Sequence, residues 1–168
     1  MGILITSADF TGDNDIATDV YTTVDMDAAI SEYESKLLYE LLGIELYDLF
    51  VADLVNKVPQ TAKYLTIYNA FVKEIDDVMV FSLGMKKMLV KWVYFQYVRT
   101  QPQTNTIEGN TEAQGTVNKP SAMSYTSLVL EYNKMISTFK AIQTYIESVK
   151  DEDYPTFKGV CKEYMSWA

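Results

Sequence analysis

The apolar and polar positions of the chain fall into segments with different periods. Between positions 88 and 98 only Lys91 and Gln96 interrupt an apolar and aromatic run. A helix with one apolar stripe lies at a surface, whereas an all-round pattern marks the centre of a bundle or a membrane span. The run is shorter than the roughly 18 apolar residues of a spanning helix, so 84–101 predicts the central helix of a bundle. Upstream, Met26, Ile30, Tyr33, Leu37 and Leu41 recur at helical spacing, with Asp25 as N-cap and Gly43 as stop. After Gly43, IELYDLFVADLVNK carries Leu46, Leu49, Phe50 and Leu54 in an amphipathic pattern and predicts a second helix ending near Pro59. Tyr64, Ile67, Tyr68, Phe71 and Ile75 keep the 3.6 period and predict a third. VMVFS, 78–82, is β-branched and aromatic and reads as a short extended piece; a strand there would need a partner.

Downstream of the central helix, 101–120 has no packing pattern, and its glycines and asparagines favour turns. Ser121 then caps a last long helix. In it Tyr125, Leu128, Tyr132, Met135, Phe139, Ile142, Ile146 and Val149 follow steps of three and four, a heptad seam. Such a seam is either one face of an antiparallel bundle or a coiled-coil contact with another chain. Pro155 breaks the pattern, and Phe157, Val160, Tyr164 and Trp167 predict a short terminal helix or a peptide able to dock on a partner. The predicted fold is all-α: a small helical bundle over 26–150 with a long loop, an extended acidic N-terminal arm over 1–25, and a C-terminal tail over 151–168.

Composition sharpens this picture. A length of 168 residues with 48% apolar content supports one domain with a sizeable core. The net charge of −9 is segregated, for residues 1–60 hold 12 acids and 2 bases while 61–101 hold 3 acids and 6 bases. Negative charge of this order repels phosphate and argues against tight duplex binding. One cysteine, Cys161, permits no internal disulfide, no Asn-x-Ser/Thr sequon occurs, and the start of the chain lacks the regions of a signal peptide, so a reducing compartment is expected. MGILIT fits the loose myristoylation pattern through Gly2 and Thr6.

Candidate chemistry is sparse. The chain has no histidine, which removes the commonest general base and the triads and zinc sites built on it. Val80 stands where the nucleophile elbow needs glycine before Ser82 and Gly84. Asp9, Asp13, Asp15 and Asp19 surround Gly12 without the spacing of a calcium loop, and Asp151, Glu152 and Asp153 read as a solvated turn. No catalytic residue, cofactor or metal ligand is expected. The 13 tyrosines suit core edges and protein interfaces alike. Tyr94, Tyr97 and Arg99, where the central helix meets the loop, are candidate contact residues. Lys86, Lys87 and Lys91 at its other end could pair with the acidic first third, within one chain or between neighbours. Within the loop, Thr106, Gly109 and Asn118 join Ile107 and Val117, two apolar residues that could anchor on a partner or fold back on the central helix.

LLG followed by ELY over 41–47, a glycine-started apolar helix ending in YFQYVR over 94–99, and a loop carrying Thr106, Gly109, Asn118 and Ser121 together resemble the head-to-tail connector proteins of tailed bacteriophages. The likeness is strongest to those of phages infecting Bacteroidetes-type hosts, and spans about 26–150. The resemblance implies a virion protein made in the host cytoplasm, with no enzymatic activity. Its subunits would form a ring, typically dodecameric, beneath the portal protein, extend the channel through which genomic DNA passes unbound, and dock the tail or a stopper protein. Two other classes compete with it. One is a small acidic helical module that inhibits or recruits a basic partner; the other is a hydrolase, for which the chain shows no base.

Overall fold

Helix α1 (Thr23–Leu42) buries Met26, Ile30, Leu37, Leu38, Leu41 and Leu42, the periodic apolar positions of its sequence. It starts two residues ahead of the expected cap, Asp25, and ends at Gly43, whose φ is 77°. A side chain at 43 would meet the Lys158 backbone at 2.9 Å, so this glycine serves both the left-handed turn and the close passage of the C-terminal segment. The structure is a computed structural model describing residues 2–14, 23–100, 104–106, 109–111, 125–160 and 162–163.

Helix α2 (Ile44–Ala52) buries Leu46, Tyr47 and Phe50 and stops before the predicted end near Pro59. The chain instead folds back as a small hairpin, β1 (Leu54–Val55) against β2 (Val58–Pro59), with Asn56 and Lys57 at φ 51° and 66°. Two successive left-handed residues form the turn whose twist matches paired strands. The Asp53 carboxylate accepts the N–H groups of Gln60 and Thr61 at 2.7 and 2.8 Å, closing the hairpin and starting α3 (Ala62–Tyr68).

The predicted third helix is correct only in its first half. The chain leaves the helix at Asn69, and β3 (Phe71–Ile75) pairs antiparallel with β4 (Val78–Ser82) through Asp76 and Asp77, at φ 50° and 63°. Phe71 and Ile75 are four residues apart, a spacing that puts them on one side of a helix and equally on one side of a strand. VMVFS is the strand it was expected to be, and its partner is the segment assigned to the helix. A third ladder, β5 (Thr104–Thr106) with β6 (Gly109–Thr111), lies inside the expected loop. The fold is thus dominated by helices but is not all-α.

Helix α4 (Met85–Thr100) is the centre, as expected. Met85, Met88, Leu89, Val93 and Phe95 are buried, and the helix packs against α1 and against α5 (Tyr125–Ser148). Met135, Phe139, Ile142 and Ile146 of the heptad seam belong to the same core, which assigns the seam to an intramolecular bundle face. The proposed cap Ser121 lies outside the described residues.

The described residues near each end of the chain pack into the bundle, where an extended arm and a tail were expected. Leu4 and Ile5 are fully buried and Phe10 nearly so, within the main core. Their anchor is Glu34 of α1, itself 1% exposed, which accepts the N–H groups of Ile3, Leu4 and Ile5 at 2.5, 2.6 and 3.0 Å. Lys57 reaches over from the β1–β2 turn to the carbonyls of Gly2 and Ile5 at 2.8 and 2.9 Å. A Cβ on Gly2 would fall 2.5 Å from Ile30 Cγ2, so packing alone demands glycine there. At the other end, after the short helix α6 (Lys150–Asp153), Tyr154 and Phe157 enter the core. The chain then runs without helix along α1, where the Val160 N–H donates to the Glu40 carbonyl at 2.7 Å. Tyr164 and Trp167 lie outside the described residues.

Candidate functional site

The described residues among those singled out from sequence do not converge on one surface. Tyr94 and Tyr97 are buried in the core, because α4 is enclosed almost to its end. Arg99 is exposed, its guanidinium 5.7 Å from the centre of the Phe95 ring. Thr106 and Gly109 face each other across the β5–β6 ladder; Ile107, Val117 and Asn118 lie outside the described residues.

The three lysines at the start of α4 separate into different roles. Lys86 pairs with Asp9 at 2.8 Å, so the acidic first third meets the basic segment inside one chain at this point. Lys91 is bonded to Glu131 of α5, and Lys134 holds the other oxygen of the same carboxylate at 2.5 Å. Lys87 is exposed and has no partner among the described residues. Charge reversal at the three positions therefore tests three different things. Lys91→Glu would set two carboxylates against each other in a nearly buried site and is expected to destabilise the fold by about 3 kcal/mol or more.

Burial pushes the Glu131 carboxyl upward, but hydrogen bonds and charge from Lys134 and Lys91 outweigh it and hold it below 4.5. Burial likewise raises Asp9, and the Lys86 ammonium and the Thr6 N–H more than compensate. A depressed value means stability present above the ordinary carboxylate range and lost as pH falls through the folded one. Glu34 acts in the opposite sense. Its burial outweighs the three N–H groups and Lys57, so its carboxyl stands above 4.5 and the fold gains as it protonates. The urea midpoint is therefore expected to fall on acidification below about pH 4, and Glu131→Gln should flatten that fall while leaving Glu34's contribution in place. An unchanged acid limb in the variant would place the pH dependence elsewhere.

Ser82 is buried, and its Oγ accepts the Gly84 N–H at 3.1 Å, a turn-closing role. Among the described residues no cluster of three potential metal-ligating side chains occurs, and no helix is long and apolar enough to cross a membrane.

What sequence reading missed is the outside of the β3–β4 hairpin. Direct cross-strand pairs share a face, and the registers Val72↔Phe81 and Glu74↔Met79 place these four side chains together. Val72, Met79 and Phe81 are 57%, 52% and 60% exposed. The opposite face carries Phe71, 5.4 Å from the Tyr145 ring, and Lys73, with its ammonium 4.1 Å above that ring. The hairpin thus rests on α5 by one side and presents an apolar ribbon by the other. The available signal was the two-residue turn Asp76-Asp77 between two β-branched runs, which makes a hairpin of what otherwise reads as the end of a helix.

No protein-family model, no curated protein and no solved structure matches this chain.

Proposed function

We propose that this chain is a structural subunit of a virion neck, a head-to-tail connector that assembles as a ring beneath the portal protein. In this reading the ring, of about twelve copies as the resemblance implies, extends the DNA channel and receives the tail or a stopper protein. The observation that carries the reading is the apolar ribbon of Val72, Met79 and Phe81, held rigidly on α5 and half exposed. A contiguous exposed apolar face rimmed by charge is a property of surfaces that meet another protein. The acidic balance of the chain suits a channel wall that phosphates slide past without being gripped. No catalytic step is part of the proposal.

The test is location. Particles produced with a small peptide tag on this chain should carry the label only at the junction of head and tail, seen by electron microscopy with a tag-directed gold conjugate. Purified particles without the chain, or a label on the capsid faces or tail tip, would overturn the reading.

A further inference from the structure

We propose that the ribbon of one subunit docks on the Lys87, Leu130 and Lys134 surface of a second copy of this chain, giving a head-to-tail contact. The inference rests on the ring reading above and names the surfaces that would build it.

The ribbon has one sign of charge. Glu74 lies on its apolar face beside Met79, and Asp76 and Asp77 form the exposed tip. The hairpin's one cation, Lys73, turns away to the Tyr145 ring. An occupant must therefore combine apolar area with positive charge. The chain carries such a surface at the beginning of α5. Leu130 is 50% exposed, and Lys134, one turn later on the same ridge, is 55% exposed. The Glu131 carboxylate binds both Lys134 and Lys91, and Lys87, one turn before Lys91 on α4, is exposed without an acidic partner among the described residues. Lys87 and Lys134, the exposed ammonium groups of this region, therefore add positive charge to a surface that carries an exposed leucine.

Geometry favours a neighbour over self-contact. The hairpin rests on α5 through the Tyr145 ring and, just beyond β4, through the Leu83 N–H on Thr138 Oγ1 at 3.4 Å. The ribbon lies on the hairpin's opposite face, turned away from α5, so one copy cannot bring it onto its own α5 surface without dismantling that packing. Two different patches make a heterologous contact, and such contacts close into rings or continue as filaments. Charge also disfavours one of the other exposed apolar surfaces, since α2, with exposed Ile44 and Leu49, is flanked by the acids Glu45 and Asp48 and would repel the ribbon.

Sedimentation velocity of the full-length chain over a wide concentration range tests the contact. Self-association is expected in the wild type. It should weaken at least tenfold in Phe81→Ser, in Lys87→Glu and in Glu74→Lys, none of which alters a core side chain or an internal ion pair, so each should keep the wild-type circular dichroism. Combining Glu74→Lys with Lys87→Glu exchanges the charges across the contact and should restore association. A wild type that stays monomeric at every concentration, single variants that associate like the wild type, or a charge exchange that restores nothing would each overturn this contact. The neck reading is judged separately, by where the label sits on particles. A chain found at the neck but with unaffected single variants would retain that reading and lose this interface.

Discussion

Glu34→Ala is expected to cost about 3 to 5 kcal/mol, the range for breaking a buried charged network by removing one partner. It should also free the first ten residues from the bundle. The carboxylate is the shared acceptor for three consecutive N–H groups at 3.0 Å or less, and its removal leaves these donors facing the apolar wall of α1. Stranded donors cost about 1 to 3 kcal/mol each, so the segment lowers its free energy by leaving. Departure then uncovers the sites of Leu4 and Ile5, both fully buried. Two readouts separate this from a general loss of packing. Urea unfolding should show the stability loss, and limited proteolysis should cut within residues 2–10 of the variant well before the bundle is attacked. Glu34→Gln, which keeps one acceptor oxygen, should fall between the wild type and Ala. An N-terminus as protected in Glu34→Ala as in the wild type would mean that Leu4 and Ile5 hold the segment by burial alone.

The same residue shows where sequence reading reaches its limit. Glu34 occupies an ordinary helical position among the acids of the first third, and its local pattern does not distinguish a buried acceptor from a solvated charge. Its role is defined by a segment some thirty residues away whose short apolar start, Ile3, Leu4 and Ile5, carries no period of its own. By contrast α1, α4 and α5 were legible because each presents many apolar positions at one spacing, and such patterns report a core directly. The hairpins failed for a local reason. Phe71 with Ile75, and Leu46 with Leu49 and Leu54, match a helical template over short windows, and the decisive residues are the left-handed pairs Asn56-Lys57 and Asp76-Asp77. A Lys or Asp in the second turn position is a weaker signal than the glycine that usually fills it.

The candidate surfaces follow the same division. Tyr94 and Tyr97 were plausible contact residues because tyrosine is at home on both sides of a surface, and only the enclosure of α4 by its neighbours decides for the core. Lys86, Lys87 and Lys91 look alike in sequence, yet Lys86 pairs with Asp9 in the N-terminal segment, Lys91 pairs with Glu131 in α5, and Lys87 stays exposed. An ion pair between distant segments depends on how helices pack. The apolar ribbon became visible only once β3 was recognised as a strand, since it consists of alternate residues on two paired segments.

Tyr154→Ala should destabilise the bundle by about 3 to 5 kcal/mol, the usual cost of emptying a large aromatic site in a core. Tyr154 is fully buried, with its ring centre 6.5 Å from that of Tyr64, which in turn meets Phe50 edge-on at 5.7 Å. Its hydroxyl donates to the Lys63 carbonyl at 2.6 Å, and the Lys63 ammonium returns to the Asp153 carbonyl at 2.9 Å. These reciprocal bonds lock the segment after α6 onto α3, across 91 positions of sequence. Tyr154→Phe keeps the ring and loses only the hydroxyl, so about 1 to 2 kcal/mol is expected. A tail whose business is to dock on a partner would give a different result, because surface substitutions of that kind usually stay within about 0.5 kcal/mol. Burial also pushes the Tyr154 hydroxyl well above the ordinary tyrosine value, with nearby Tyr145 and Asp153 adding to it. The folded state therefore holds this proton more tightly than the unfolded chain, and stability from the site is lost as pH rises through and beyond the ordinary value of 10. Alkaline unfolding of the wild type should be steeper than that of Tyr154→Phe. Equal alkaline limbs, together with a Tyr154→Ala variant of wild-type stability, would return this segment to the role of a free tail.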